Sequence, residues 1–541
     1  MSKKTKIYKN GKIHIMDEKR SIVNSIYIED GKIKDFGNFE QMNTKYNVKE
    51  KNIFDLEGKT VFPGFNDSHM HILKYGESLE SVDLKGVRSV DEIVERCIDF
   101  LNNNDLREGQ WLVGTGWNQD LFEEKVFPNK KDLDKISTDI PIALSRICTH
   151  ITVCNSKAIE IMGVNEETDI EGGEIEKDEH GNLTGMFKEN ANSFINKAKP
   201  ELTLEDIKMI LEKAANSLQE YGLTSVQSDD LQHGGKSWET VIQAYKELYE
   251  EDKINIRINQ QSLFFDIKEY LEFIDKGVHK LQIDDRFKVG PLKLLGDGSL
   301  GARTAYLSKP YEDDPTKVGM TAYTSDQLDE FVLTACKNDK PVAIHSIGDK
   351  MMHMAFDSIE KAGEETGKEL RHGIVHCQIT TKSLFERFQK NNVSAYIQPI
   401  FASSDWDVAP KRIGEERAKY SYNWKRYYDL DIIASFGTDC PVESPSPLEN
   451  IYSAVTRKDL NGNPENGWIP EQRLTVDQSI VGYTYNSAYM SYDENIKGTL
   501  EIGKLADMVV LSEDIYRIEP DKIKDVVVEK TIINGEVVYE E

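Results

Sequence analysis

Short apolar runs broken by turns fill the beginning of the chain. Residues 7–15 carry Asn10-Gly11 and residues 25–33 carry Asp30-Gly31, each flanked by alternating apolar positions, the pattern of a β-hairpin. The far end repeats it. Residues 506–511 read as a strand, and 526–528 with 531–539 as a further pair around Asn534-Gly535. Chain termini often lie close together, so the two β halves are expected to build one domain.

Between them the pattern changes to strand, helix, strand, helix. Eight apolar runs suit buried parallel strands: Val61-Phe62 and residues 224–227, 254–258, 292–295, 342–345, 373–376, 395–398 and 433–437. Helical stretches separate most of them, for example residues 204–221 closed by Gly222 as a C-cap. Eight such units predict a (β/α)8 barrel. The gap after the first run is too long for one helix, so residues 79–199 are expected to form an α/β insertion, with a hairpin within 172–183. The expected division is 1–60 as one β half, 61–78 as the first barrel strand, 79–199 as the insertion, 200–495 as the rest of the barrel, and 496–541 as the other β half.

Composition narrows the partners. With 30% charged residues and a net charge of −27, the 541-residue chain repels phosphate backbones and anionic lipids, which argues against nucleic acid. No apolar run is long enough to span a bilayer, and no apolar segment follows the basic start as a signal peptide would require. The six cysteines show no framework spacing and read as reduced thiols, so a cytoplasmic protein is expected. Nothing in the sequence decides the oligomeric state, and a homodimer stays open.

Candidate chemistry gathers at the ends of the expected strands. His69 and His71 are two apart, so in an extended segment both imidazoles face one side and can share a cation. Further runs end on His345, His376 and Asp439. Four of eleven histidines thus fall at strand ends, where barrel active sites lie. Lys293 sits inside an apolar run. Pointing inward, it would lose its charge and could take up carbon dioxide as a carbamate bridging two metals; otherwise it snorkels outward or pairs with Asp297. Imidazole and carboxylate donors suit zinc.

These residues lie in Pro63-Gly64-Phe65-Asn66-Asp67-Ser68-His69-Met70-His71, Lys293-Leu294-Leu295-Gly296-Asp297-Gly298-Ser299-Leu300-Gly301, His345-Ser346-Ile347-Gly348-Asp349, His376-Cys377-Gln378 and Gly437-Thr438-Asp439-Cys440-Pro441. With Thr149-His150 and Val153-Cys154-Asn155-Ser156 in the insertion, they resemble the amidohydrolase superfamily, and within it the YtcJ-like group of amidohydrolase family 3. The resemblance covers nearly the whole chain; Cys148-Thr149 departs from the more polar pair expected before His150. It implies a distorted (β/α)8 TIM barrel, a β-sandwich from both termini and a large insertion after the first strand. It also implies two divalent metals, zinc by default, with His69, His71 and Asp439 on one, His345 and His376 on the other, and carbamylated Lys293 between them.

The implied activity on a small-molecule substrate is hydrolysis of a non-peptide C–N amide bond, such as an N-formyl or N-acyl group, by a metal-bound hydroxide. Asp439 moves the proton. Asn118, His150 and Arg303 are candidate substrate contacts, with Asn155, Gln398 and Asp349 as weaker ones and Trp117 with Phe122 as an apolar wall. Two alternatives stay open. Hydrolytic deaminases of this superfamily typically use one metal and an acid three residues beyond the fifth-strand histidine, here Gly348 with Asp349 next to it. A non-catalytic metal-binding barrel is the other.

Overall fold

The computed structural model describes residues 4–107, 109–148, 150–232 and 237–541. Thr149 of the insertion motif and Met1 to Lys3 of the basic start lie outside the described residues. The chain forms two compact units, residues 1–74 with 211–541 and residues 75–210.

The first unit holds a nearly closed barrel of eight parallel strands: β1 (Phe65–Met70), β2 (Leu223–Ser228), β3 (Arg257–Leu263), β4 (Phe287–Leu295), β5 (Val342–Ser346), β6 (Gly373–His376), β7 (Ser394–Ile397) and β8 (Ala434–Phe436). They pair in sequence order from β1 to β8. Residues of β1, β2, β3, β6, β7 and β8 are all buried, as expected for a parallel sheet covered on its outer face by crossover helices. Inward positions are polar in β1 and β3 (Asp67, His69, Asn259, Gln261), so these two strands lack a continuous apolar run.

That polarity explains two corrections. Val61-Phe62 is not the first barrel strand. It belongs to Thr60–Pro63, which pairs antiparallel with Met508–Leu511, Val61 opposite Val510. The barrel begins only after Gly64, where a Cβ would lie 2.3 Å from the Thr224 side chain. Likewise the third strand starts at Arg257, not at residue 254, because its hydrogen-bonded part is the polar stretch that follows the apolar run.

Two terminal sheets complete this unit. One orders Lys32–Phe36, Ile26–Glu29, Thr5–Lys9 and Ile53–Asp55; the other orders Glu536–Glu540, Val528–Ile533, Met508–Leu511, Thr60–Pro63, Lys12–His14 and Ile22–Val23. Ile26, Ile28 and Ile33 from the first share one core with Ile13, Val61, Met508, Val510 and Ile532 from the second. Asp30-Gly31 (φ 51° and 78°) and Asn534-Gly535 (φ 53° and 72°) turn hairpins in the left-handed pair of conformations a type I′ turn needs. Asn10-Gly11 does not: Thr5–Lys9 and Lys12–His14 enter different sheets, so this dipeptide is a crossover.

The second unit carries a six-stranded sheet ordered Gly173–Lys177, Leu183–Glu189, Ile151–Cys154, Ile142–Arg146, Leu112–Trp117 and Val82–Asp83. Trp117 and Phe122 lie in its apolar core. Among the described residues no helix is long and apolar enough to cross a membrane. All six cysteines are free thiols.

Arg257 ties the foot of β3 to the C-terminal strands. Its buried guanidinium donates to Asp507 at 2.7 and 3.0 Å, to Asp285 at 2.9 Å and to Asn534 at 2.7 Å. Removing one partner of a buried pair strands the other charge, so Arg257→Ala is expected to lose about 3–5 kcal/mol, read as a lower urea midpoint. An unchanged midpoint would show that the pair does not hold the strands together.

Candidate metal centre

The six sequence-predicted ligands all meet at one end of the barrel. His69 lies next to the end of β1 and His71 follows the strand; Lys293 lies in β4, His345 in β5 and His376 at the end of β6; Asp439 follows β8. His69 Nε2 and His71 Nε2 lie 3.3 and 3.0 Å from Asp439 Oδ1. The His345 and His376 rings stand 4.3 Å apart and His376 is 5.6 Å from His69, centroid to centroid. Lys293 Nζ is 3.4 Å from His69 Nε2. Donor atoms of His69, His376 and Asp439 lie within 4.8 Å of one another, as do those of His69, His71 and Asp229. His376 (φ 75°) and Asp439 (φ 59°) adopt left-handed backbone, a conformation costing about 1–3 kcal/mol each that packing must hold in place.

Hydrogen bonds fix which ring nitrogens are free. Gln398 Nε2 donates to Tyr396 O, which turns its Oε1 toward His376 Nδ1 at 2.9 Å. Gln261 repeats the device: its Nε2 donates to Ser68 O and its Oε1 faces His69 Nδ1 at 3.3 Å. Each Nδ1 then carries the proton, and each Nε2 lone pair is left for a cation. Burial, followed by the Lys293 charge, pushes His345 down to about 3. Burial and then His345 hold His376 well below its ordinary value. Burial would raise Asp439, but contacts with His69 and His71 outweigh it and hold the carboxyl far below the usual range. Burial would lower His71, but Asp229 and then Asp439 outweigh it and raise the imidazole to about 10. Imidazoles beside ionised carboxylates, with His71 giving up its proton to the cation, are the donor set a divalent ion such as zinc takes, so the residues fit the metal the sequence implied.

Lys293 does not pair with Asp297. That carboxylate accepts from the backbone N–H groups of Ile347, Gly348 and Tyr306. Lys293 Nζ instead lies 2.9 Å from Asp229 Oδ2, both side chains 1% exposed. Asp229, Gln261 and Asp67 escaped the sequence reading. Asp67 accepts from His69 N and Thr438 N, and burial raises its carboxyl to about 7. The signal for Asp229 was present, because Asp229-Asp230 follow β2 directly, at a strand end like the other candidates. Gln261 carries no such signal, since a glutamine inside a strand is ordinary, whereas Gln398 follows β7 and stood among the weaker candidate contacts.

The candidate substrate contacts each make hydrogen bonds of their own. Arg303 spends its guanidinium on Asp313 at 2.8 and 3.0 Å. Asn118 and His150 belong to the second unit. Asn118 accepts from Asp120 N and from Arg146, and the exposed His150 Nδ1 faces Glu189 at 2.9 Å. Asn155 caps the helix Ser156–Met162 through Ala158 N, and Asp349 accepts from Ser308.

Residues 52–539 match the amidohydrolase family, Amidohydro_3. The chain is 32% identical over 536 residues to the amidohydrolase YtcJ of Bacillus subtilis (strain 168), covering 99% of each. It is 23% identical over 544 residues to the N-substituted formamide deformylase of Arthrobacter pascens, covering 98% of this chain and 97% of that one. The crystal structure of a metal-dependent hydrolase from Pyrococcus horikoshii OT3 superposes with a TM-score of 0.79 at 30% identity, over 96% of this chain and 99% of that one.

Two outcomes follow from the hydrogen bonding. Gln398→Ala frees the His376 ring and is expected to weaken metal binding about 10–100-fold, measured by competition with a chromophoric chelator; unchanged affinity would mean that the glutamine sets nothing. Without metal, His71 holds its proton up to about 10. At pH 8, below that value, a cation on Nε2 must displace it, so about one proton is expected to leave per centre filled. Calorimetric titration in buffers of unlike ionisation heat measures this, and no release would remove His71 from the ligand set.

Proposed function

Because the chain belongs to the amidohydrolase family, hydrolases acting on carbon–nitrogen bonds, we propose that it cleaves the N-formyl or N-acyl group of a small amine. The observation that carries this is the meeting of His69, His71, Lys293, His345, His376 and Asp439 at one barrel end. The relative named N-substituted formamide deformylase supports the choice of bond.

In this reading His69, His71 and Asp439 would hold one zinc ion, His345 and His376 would hold a second, and Lys293, as a carbamate, would serve both. Bound there, the metals would acidify water and polarise the carbonyl. Asp439 is held ionised by its two histidines, so it can take a proton at Oδ and hand it to the leaving amine. Gln261 and Gln398 hold their imidazoles in one orientation while this happens. Deamination is disfavoured because Gly348 stands where the acid would be and the carboxylate of Asp349 is engaged by Ser308.

Asn118, His150 and Arg303 are proposed to contact substrate, the terminal sheets to form one β-sandwich, residues 79–199 to act as the insertion, and the protein to work in the cytoplasm, where a homodimer would be accommodated.

A screen of N-formyl and N-acyl amines with zinc-loaded protein tests the proposal. Asp439→Asn should lower kcat about 10²–10⁴-fold, and chelation should abolish turnover until zinc is restored. Native rates in the stripped protein would overturn the reading.

A further inference from the structure

We propose that Asp229 is a positioning residue that sets two groups of the centre at once: the tautomer and tilt of His71, and the place of Lys293 Nζ. The role rests on the metal centre proposed above. Asp229 is fully buried just beyond β2, a strand that contributes none of the six proposed ligands. Its Oδ1 lies against His71 Nδ1 and its Oδ2 lies 2.9 Å from Lys293 Nζ.

The side from which Asp229 meets His71 decides its part. The Nε2 atoms of His69 and His71 both face Asp439 Oδ1, at 3.3 and 3.0 Å. Asp229 approaches the opposite ring nitrogen. The two nitrogens of an imidazole diverge, so the oxygen on Nδ1 approaches His71 from the side away from Asp439. Oxygen acceptors occupy the same position at the other two rings, Gln261 at His69 Nδ1 and Gln398 at His376 Nδ1. Asp229 is thus the third member of a set, each presenting an oxygen to Nδ1 and leaving Nε2 for the cation.

A carboxylate rather than an amide stands at this third position because it also faces Lys293. A buried ammonium needs a counter-charge, which a glutamine or asparagine cannot provide. The same oxygen serves if the lysine is carbamylated, since the carbamate nitrogen keeps one N–H to donate. The neighbouring Asp230 has different work. It accepts from Ser228 Oγ at 2.8 Å, Leu73 N at 2.9 Å and Tyr245 Oη at 2.6 Å, so its carboxylate is engaged by the strand end, the segment after β1 and the helix that follows β2.

Zinc affinity and stoichiometry, measured by chelator competition and elemental analysis on the full-length protein, test this. Asp229→Ala is expected to bind zinc about 10–100-fold more weakly while reaching the wild-type number of equivalents at saturation. Asp229→Asn, which keeps an oxygen for Nδ1, should fall between the two and remains informative where the alanine variant fails to fold. Asp230→Asn should lower the melting temperature and keep wild-type affinity. Wild-type affinity in Asp229→Asn would overturn the proposal. So would the loss of one zinc equivalent at saturation, which would make Asp229 a ligand. A wild-type protein that takes up no zinc would sink the centre itself, and this role with it.

Discussion

The contact of Asp439 with His69 and His71 joins the last strand of the barrel to the first. The ladder of paired strands runs from β1 to β8 through the six between them. Across the remaining seam, Asp439 N donates to His69 O, His71 N donates to Cys440 O, and the Asp67 carboxylate accepts from Thr438. Gly437 permits this approach, since a Cβ there would lie 2.7 Å from His69 N. Closure of the barrel and assembly of the centre therefore depend on the same few atoms. A seam built this way holds the two strand ends in one register, and the register decides whether the two Nε2 atoms and the carboxylate converge.

The second constraint is charge in a low-dielectric space. Asp229, Asp439, Lys293 and four histidines occupy one barrel end, all but His71 and His345 almost wholly buried. Such a group is tolerated only if each charge has a partner. Without a metal, His71 meets the demand by keeping a proton between two carboxylates, and Lys293 by pairing with Asp229. A divalent cation would take over the first of these duties, which is why metal uptake is expected to release a proton. The opposite end of the barrel solves the same problem with fixed charges. There Arg257 is surrounded by Asp507, Asp285 and Asn534, an arrangement that leaves no donor over for a ligand.

The surrounding polar side chains divide by what they touch. Gln261 and Gln398 meet imidazoles of the centre, while Asp297 and Asp349 satisfy backbone N–H groups of the loops after β4 and β5, and Asn155 caps a helix of the second unit. Family motifs run through both kinds of residue without distinguishing them.

Local patterns in the chain were enough to place the hairpins at Asp30-Gly31 and Asn534-Gly535, the alternation of strands and helices, and His69, His71, His345, His376 and Asp439 as candidates, whereas Lys293 joined them through the family resemblance. Each local feature is written in a period, a turn dipeptide or a polar group at the end of an apolar run, and such signals need no distant partner. Other features depended on distant segments. Val61-Phe62 is as apolar as a barrel strand, but its partner is Met508–Leu511, some 450 residues away in the sequence, and only the folded chain could assign it. Asn10-Gly11 has the dipeptide of a hairpin, yet its two strands find separate sheets. Asp229 became visible as the partner of both His71 and Lys293 only when β1, β2 and β4 met in one barrel. Sequence carries the preferences of single residues and short segments, whereas strand partners, buried charge pairs and the free nitrogen of each imidazole are properties of the neighbours that tertiary folding supplies.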